Sequence, residues 1–121
     1  LKLEVDGTAH EAKGAVILIA NCGELIPGLL QIRPDIRPDD GVFDVAILDA
    51  ASLPGAARVL WRMLLRNPEG GGGITFLRAT TVRVSAEPPL PAQADGEACG
   101  STPLTVELLP RALHVLAPRG T

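Results

Sequence analysis

Tyrosine is absent from this sequence, tryptophan occurs once and phenylalanine twice, so aromatic residues make up 2% of the chain. That excludes the stacking platforms on which single-stranded nucleic acids lie. Positive charge is also short: 11 basic residues stand against 14 acidic ones, a formal net charge of −3. A dedicated nucleic-acid binder would carry the opposite balance, so no nucleic-acid partner is expected. The two cysteines, Cys22 and Cys99, close one bridge at most, which is no disulfide framework. With no signal peptide in view, a reduced cytoplasmic setting is expected. The longest unbroken apolar run, Ala15 to Ala20, is far below the roughly 20 residues of a membrane span. No closely spaced histidines and no His/Cys group with zinc spacing occur. The glycine run Gly70 to Gly73 follows a helical pattern and lacks the spacing of a phosphate-binding loop, so it reads as a flexible linker.

What is present describes a folded domain. The chain has 121 residues, 46% of them hydrophobic, with a mean hydropathy of +0.25. That is enough apolar surface to offset ordering entropy, and the length suits one core. Nine of the 11 basic residues are arginine, and glycine and proline total 24, a mix that a GC-rich genome explains without reference to function. The sequence starts at Leu1 on a strand pattern, and Leu1 is read as a cut point inside a longer protein.

Leu1, Leu3 and Val5 alternate with Lys2, Glu4 and Asp6, which predicts a half-buried strand, and Asp6-Gly7 predicts a tight turn back through His10. Ala15–Ala20 and Val42–Leu48 read as strands buried on both faces. Between them, Pro27, Gly28, Pro34 and Pro38 break any regular pattern. Ser52-Leu53-Pro54 opens one helix, with Ser52 as cap and Pro54 in the first turn, and the pattern ends near Arg66. Ile74, Phe76, Val82, Val84 and Ala86 share one parity and predict a single long strand with one mainly apolar face, on which Arg78 and Thr80 also fall. Leu104, Val106 and Leu108 predict another strand, and Leu113, Val115 and Ala117 a last one. With six or seven strands, one helix and no βαβ rhythm, the expected fold is mainly β: an antiparallel β-sandwich with one inserted α-helix.

Two acidic clusters are candidates for chemistry. Asp39-Asp40-Gly41 lies between Asp35 and Asp44, and Asp95-Gly96-Glu97 comes later. Carboxylates suit Mg²⁺, or a general base acting on a hydroxyl. Strand periodicity would put Asp95 and Glu97 on one face. Against this, Asp-Gly pairs are common turn formers, and each cluster taken alone reads as a turn.

The order of features supplies more. An apolar strand and Asn21 precede a loop with Pro34, then Asp39-Asp40-Gly41-Val42-Phe43-Asp44-Val45. A helix and a strand lead to Gln93-Ala94-Asp95-Gly96-Glu97, then to a strand from Leu104, Pro110-Arg111-Ala112-Leu113 and a final Pro118. This succession resembles, over nearly the whole chain, the C-terminal β-sandwich domain of the diacylglycerol kinase and sphingosine kinase superfamily, bacterial lipid kinases included. The resemblance implies a two-domain, ATP-dependent kinase that transfers the γ-phosphate to a hydroxyl of diacylglycerol or a similar lipid. It implies that Asp95 is the general base, and that Asp40 and Glu97 belong to an acidic, water-linked Mg²⁺ network, with Asp39 the substitute for Asp40. ATP and most of the Mg²⁺ shell would belong to an N-terminal nucleotide-binding domain with a Gly-Gly-Asp-Gly-Thr motif. This sequence lacks that motif, so the chain alone is expected to be inactive. Ile36, where the family often has alanine, and a glycine-poor Gly23–Gly28 loop depart from the pattern.

The helix adds a surface feature. Arg58, Arg62 and Arg66 recur at every fourth position, with Trp61 and Leu65 beside them. A solvated basic edge explains this stripe. The alternative is a face toward anionic headgroups, which would place the protein peripherally on a membrane surface. A non-catalytic module binding a lipid or a protein chain is the rival reading of the whole sequence, and an NAD kinase-like domain a second. The sequence leaves a homodimer open.

Overall fold

The computed structural model describes residues 1–12, 15–22, 24–26, 30–31, 35–49, 52–65, 74–116 and 118. The predicted sites at Arg66, Pro27, Gly28, Pro34 and Gly70–Gly73 lie outside them, as does Ala117. The strands are β1 (Lys2–Val5), β2 (Thr8–Glu11), β3 (Ala15–Ala20), β4 (Glu24–Ile26), β5 (Leu30–Gln31) and β6 (Phe43–Asp49). They continue, after helix α1 (Leu53–Leu64), as β7 (Ile74–Ala79), β8 (Thr81–Ser85), β9 (Pro91–Ala94), β10 (Glu97–Ser101) and β11 (Leu104–Glu107).

All pairings are antiparallel. One sheet has the order β11-β8-β1-β2 and a second the order β3-β6-β7; β4-β5 and β9-β10 are separate hairpins. The alternation at the N-terminus holds: Leu3 and Val5 are buried while Lys2 and Glu4 are exposed. Beside them in the same sheet are Val82 and Val84 of β8, and from the second sheet come Val45 and Ala79, with Ile17, Ile19, Ile47 and Leu77 packed around. Apolar faces from two sheets thus meet in one core, the expected antiparallel sandwich with one inserted helix.

The second sheet is covered on its other side by α1, where Val59 packs on Leu48 and Ile74. That is why Val45 to Leu48 of β6 is a continuous apolar run: β6 is the central strand of its sheet and both its faces are covered. Ser52 caps the helix as predicted, its Oγ accepting from Gly55 N–H at 3.2 Å.

Several sequence expectations fail for physical reasons. β3, expected to be buried on both faces, is an edge strand with Val16 half exposed, and the proline-broken stretch before β6 carries the β4–β5 hairpin. The long strand with one apolar face is two strands in different sheets. Leu77 and Ala79 point into the core at odd positions and Val82 and Val84 at even ones, while Ile74 faces the helix. Thr80, outside both strands, is the added residue that flips the faces. Its N–H donates to the Asp6 carboxylate and its carbonyl accepts from Leu108 N–H at 2.8 Å. The last strand is also absent: residues 112–116 form no strand, and Leu113, Val115 and Leu116 are exposed. Alternation alone does not make a strand, because β structure depends on pairing and packing that sequence parity does not report.

Candidate functional site

Asp95 and Gly96 form the two-residue turn between β9 and β10, with φ +49° and +86°. Positive φ at both central positions defines the type I′ hairpin turn, for which Asp-Gly is a favoured pair. Asp95 therefore sits on the turn and not in a strand, so strand periodicity is not what relates it to Glu97. Glu97 is the first residue of β10, paired with Ala94 across the turn. Both side chains are exposed, and among the described residues neither carboxylate takes a hydrogen bond or ion pair. Every residue of β10 is exposed. The hairpin is closed at its base, where Thr102 N–H donates to Leu90 C=O and Leu90 N–H donates to the buried Thr102 Oγ, both at 2.9 Å. The result is a projecting arm, fixed at its root, with two free carboxylates at its tip.

The other acidic cluster lies just before β6. Asp39 is held by a forked ion pair: Arg37 Nε and Nη2 donate to its two oxygens at 3.0 and 2.9 Å. That guanidinium, chiefly by its hydrogen bond and then by its charge, holds the Asp39 carboxyl below the ordinary aspartate value. Asp40 is engaged differently. Its Oδ1 accepts from Val42 N–H at 3.2 Å, an Asx turn that steers the chain into β6, while its exposed side chain points to solvent. Of the two adjacent acids, Asp40 keeps the freer carboxylate. Ile36, the departure from the family pattern, is buried.

Asp44 was noted in the sequence only as a flank of this cluster, yet it is buried to 2% exposure inside β6. Directly across the pairing stands Arg78 of β7, whose Nε donates to Asp44 Oδ1 at 3.4 Å and whose Nη2 lies 3.6 Å from Asp35. Asp44 Oδ2 is buried and has no hydrogen-bond partner among the described residues. The signal was present as a charge inside an apolar strand, with an arginine on a later one. Only the register shows that they meet.

Among the described residues no group of three or more His, Cys, Asp or Glu stands close enough to hold a metal ion. Mg²⁺ is nonetheless commonly held by one or two carboxylates, with the rest of its shell from water and substrate phosphates. Asp40 and Glu97, exposed and acidic, fit the part of single donors to such a shell and not of a cage. Two depressions among the described residues, of about 370 and 330 Å³, are lined in part by Arg83 of the four-stranded sheet, and neither is lined by a residue of the acidic clusters. Of the helix residues, Arg58 and Trp61 are exposed, whereas Arg62 is half-buried, its Nη1 out of water and without a hydrogen-bond partner among the described residues.

These features describe a β-sandwich domain that presents acidic turns at its surface. Residues 1–117 match the family described as the YegS C-terminal NAD kinase beta sandwich-like domain, and the chain belongs to that family. It is 27% identical over 119 residues to a diacylglycerol kinase of Bacillus subtilis, covering 98% of this chain and 39% of that protein. An uncharacterized Synechocystis protein is 25% identical over 120 residues, covering 96% of this chain and 28% of that one. The crystal structure of a diacylglycerol kinase from Bacillus anthracis superposes with a TM-score of 0.70 at 23% identity, covering 90% of this chain and 37% of that one; this likeness shows the fold. The chain thus spans 28% and 39% of the lengths of these two relatives, and the domain corresponds to the C-terminal part of proteins named as lipid kinases.

Proposed function

We propose that this domain is the lipid-side half of an ATP-dependent kinase that phosphorylates a hydroxyl of diacylglycerol or a similar lipid. One observation carries the reading: the Asp95 carboxylate, on the tip of an exposed hairpin, has no structural duty among the described residues. A base must be free to take a proton and must be held where the substrate arrives. The φ +49° turn and the bonded hairpin base hold Asp95 in place, and its exposure leaves the oxygens open to a hydroxyl.

In the proposed step Asp95 takes the proton of the lipid hydroxyl as that oxygen bonds to the γ-phosphorus of ATP. The bond from the γ-phosphorus to the bridging oxygen breaks, and ADP leaves. ATP would be held by a nucleotide-binding domain outside this sequence. Mg²⁺, when bound, would neutralise charge on the phosphates. Asp40 and Glu97 would each offer it one carboxylate, directly or through water. Asp40 also fixes its own loop, since its bond to Val42 N–H orients the carboxylate from a backbone anchored in the core strand β6.

The test is transfer of labelled γ-phosphate by the intact protein across a panel of dispersed lipids, beside the Asp95→Asn variant. Label on a lipid hydroxyl with wild type, and its loss with the variant at unchanged melting temperature, supports the reading. A protein that labels no lipid yet binds lipid or a partner chain would return the assignment to a non-catalytic module.

A further inference from the structure

Helix α1 has more apolar surface than the sandwich uses. Val59 is its buried anchor, while Leu53, Leu60, Trp61, Leu64 and Leu65 are between 46% and 88% exposed. At 100° per residue these five fall on one arc of roughly 140°, turned away from Val59. An isolated exposed leucine is ordinary, but a continuous apolar arc along a helix is an interaction surface. The arc has a charged border: Arg58 lies at its edge and is exposed, and Arg62 comes one turn later, half-buried. Residues 53–65 include no acidic side chain, so the helix is cationic on a chain whose formal net charge is −3.

We infer that the outer face of α1 lies in the interface of an anionic lipid bilayer, with the leucines in the acyl boundary and Arg58 at the phosphates. This deepens the lipid-kinase reading and rests on it for the nature of the partner. An apolar arc with a cationic border is the pattern of helices that lie in the membrane plane, and tryptophan favours the headgroup level. Charge also selects among occupants. A second copy docking through the same face would set Arg58 against another basic helix, whereas an anionic surface complements it. The inward turn of Arg62 narrows the earlier picture of an arginine stripe: leucines and Trp61 form the contact, and Arg58 borders it.

The test measures co-sedimentation of the intact protein, without nucleotide, with vesicles of equal parts phosphatidylglycerol and phosphatidylcholine. Wild type should pellet. The Leu60→Gln/Leu64→Gln variant should partition roughly tenfold less or weaker, and Arg58→Gln roughly fivefold less, an arginine effect absent on pure phosphatidylcholine. Quenching by brominated phosphatidylcholine needs no destabilising substitution. A quenched emission component that Trp61→Phe removes supports the inference. Unchanged pelleting of the double variant, or no quenching of Trp61, overturns it. So does a dimer in sedimentation velocity that the double variant converts to monomer, since a second copy would then own the face. Because binding is read without ATP, lost vesicle binding and lost lipid phosphorylation remain separate results.

Discussion

The same dipeptide closes two hairpins in this domain. Asp6-Gly7 joins β1 to β2 with φ +46° and +83°, and Asp95-Gly96 joins β9 to β10 with φ +49° and +86°. The backbones are alike and the carboxylates are not. Asp6 reaches across to the Thr80 junction, where it accepts from Thr81 N–H at 2.8 Å, Thr80 N–H at 3.0 Å and the Thr80 hydroxyl at 3.0 Å. It fastens the point at which one long apolar stretch passes from the second sheet to the first. Asp95 meets no such junction among the described residues, and its hairpin is part of neither larger sheet. Turn chemistry explains why aspartate is acceptable at both sites. Only the surroundings separate a structural acid from one available for chemistry.

Exchanging the charge at each turn is the strongest way to break this contrast. Asp95→Asn in the intact protein should lower lipid phosphorylation about 10²–10⁴-fold, the usual cost of a lost general base, with the thermal melt unmoved. A melt that falls while turnover persists would make Asp95 a second Asp6.

A third aspartate sharpens the comparison from the buried side. Arg78→Gln leaves Asp44 in the protein without its cation, and chemical denaturation should show a loss of about 1–2 kcal/mol. That is below the usual cost of breaking a buried pair, since Arg78 is half in water. Next come the adjacent acids of the loop. Asp40→Asn should reduce turnover roughly tenfold, in the range of lost metal-supporting groups. Asp39→Asn, whose two oxygens already face Arg37, should leave steady-state turnover near wild type. The reverse order would transfer the proposed role to Asp39.

The smallest effect concerns Asp6 and pH. Its carboxyl is held below the ordinary value of 3.8, first by Thr81 N–H, then by Thr80 N–H, with the Thr80 hydroxyl adding to them. The folded state therefore favours the ionised form. The stabilisation is full above the unfolded value and is lost as pH falls through the lower folded one. Asp6→Asn should melt at a slightly lower temperature near neutral pH, and the difference should shrink below pH 3.8. A gap that stays constant with pH would show that the Asp6 charge plays no part.

Much of this fold was legible because its local signals agree. The alternation of Leu3 and Val5, the Ser52 cap and the Asp-Gly turns each report short-range physics. The order of motifs gave the family. The failures came where the answer depends on remote partners. Parity across residues 74–86 could not show that Thr80 belongs to neither strand, because the bonds that hold it come from Asp6 and Leu108. Asp44 looked like one more acid until pairing set it opposite Arg78. The arginine spacing on α1 was visible, but the burial of Arg62 and the exposure of Leu53 depend on which arc meets the sheet. For the candidate site, residue types and order were readable, while the difference between occupied and free carboxylates was not.

The most direct measurement is the pH dependence of kcat/KM for lipid phosphorylation, compared among wild type, Asp95→Asn and Asp6→Asn in the intact protein. Wild type and Asp6→Asn should show the same fall on the acid side as the base takes up a proton. Asp95→Asn should be slow and lack that fall. If Asp95→Asn keeps the acid limb of wild type, another group is the base, and the free carboxylate on the β9–β10 turn has no catalytic role.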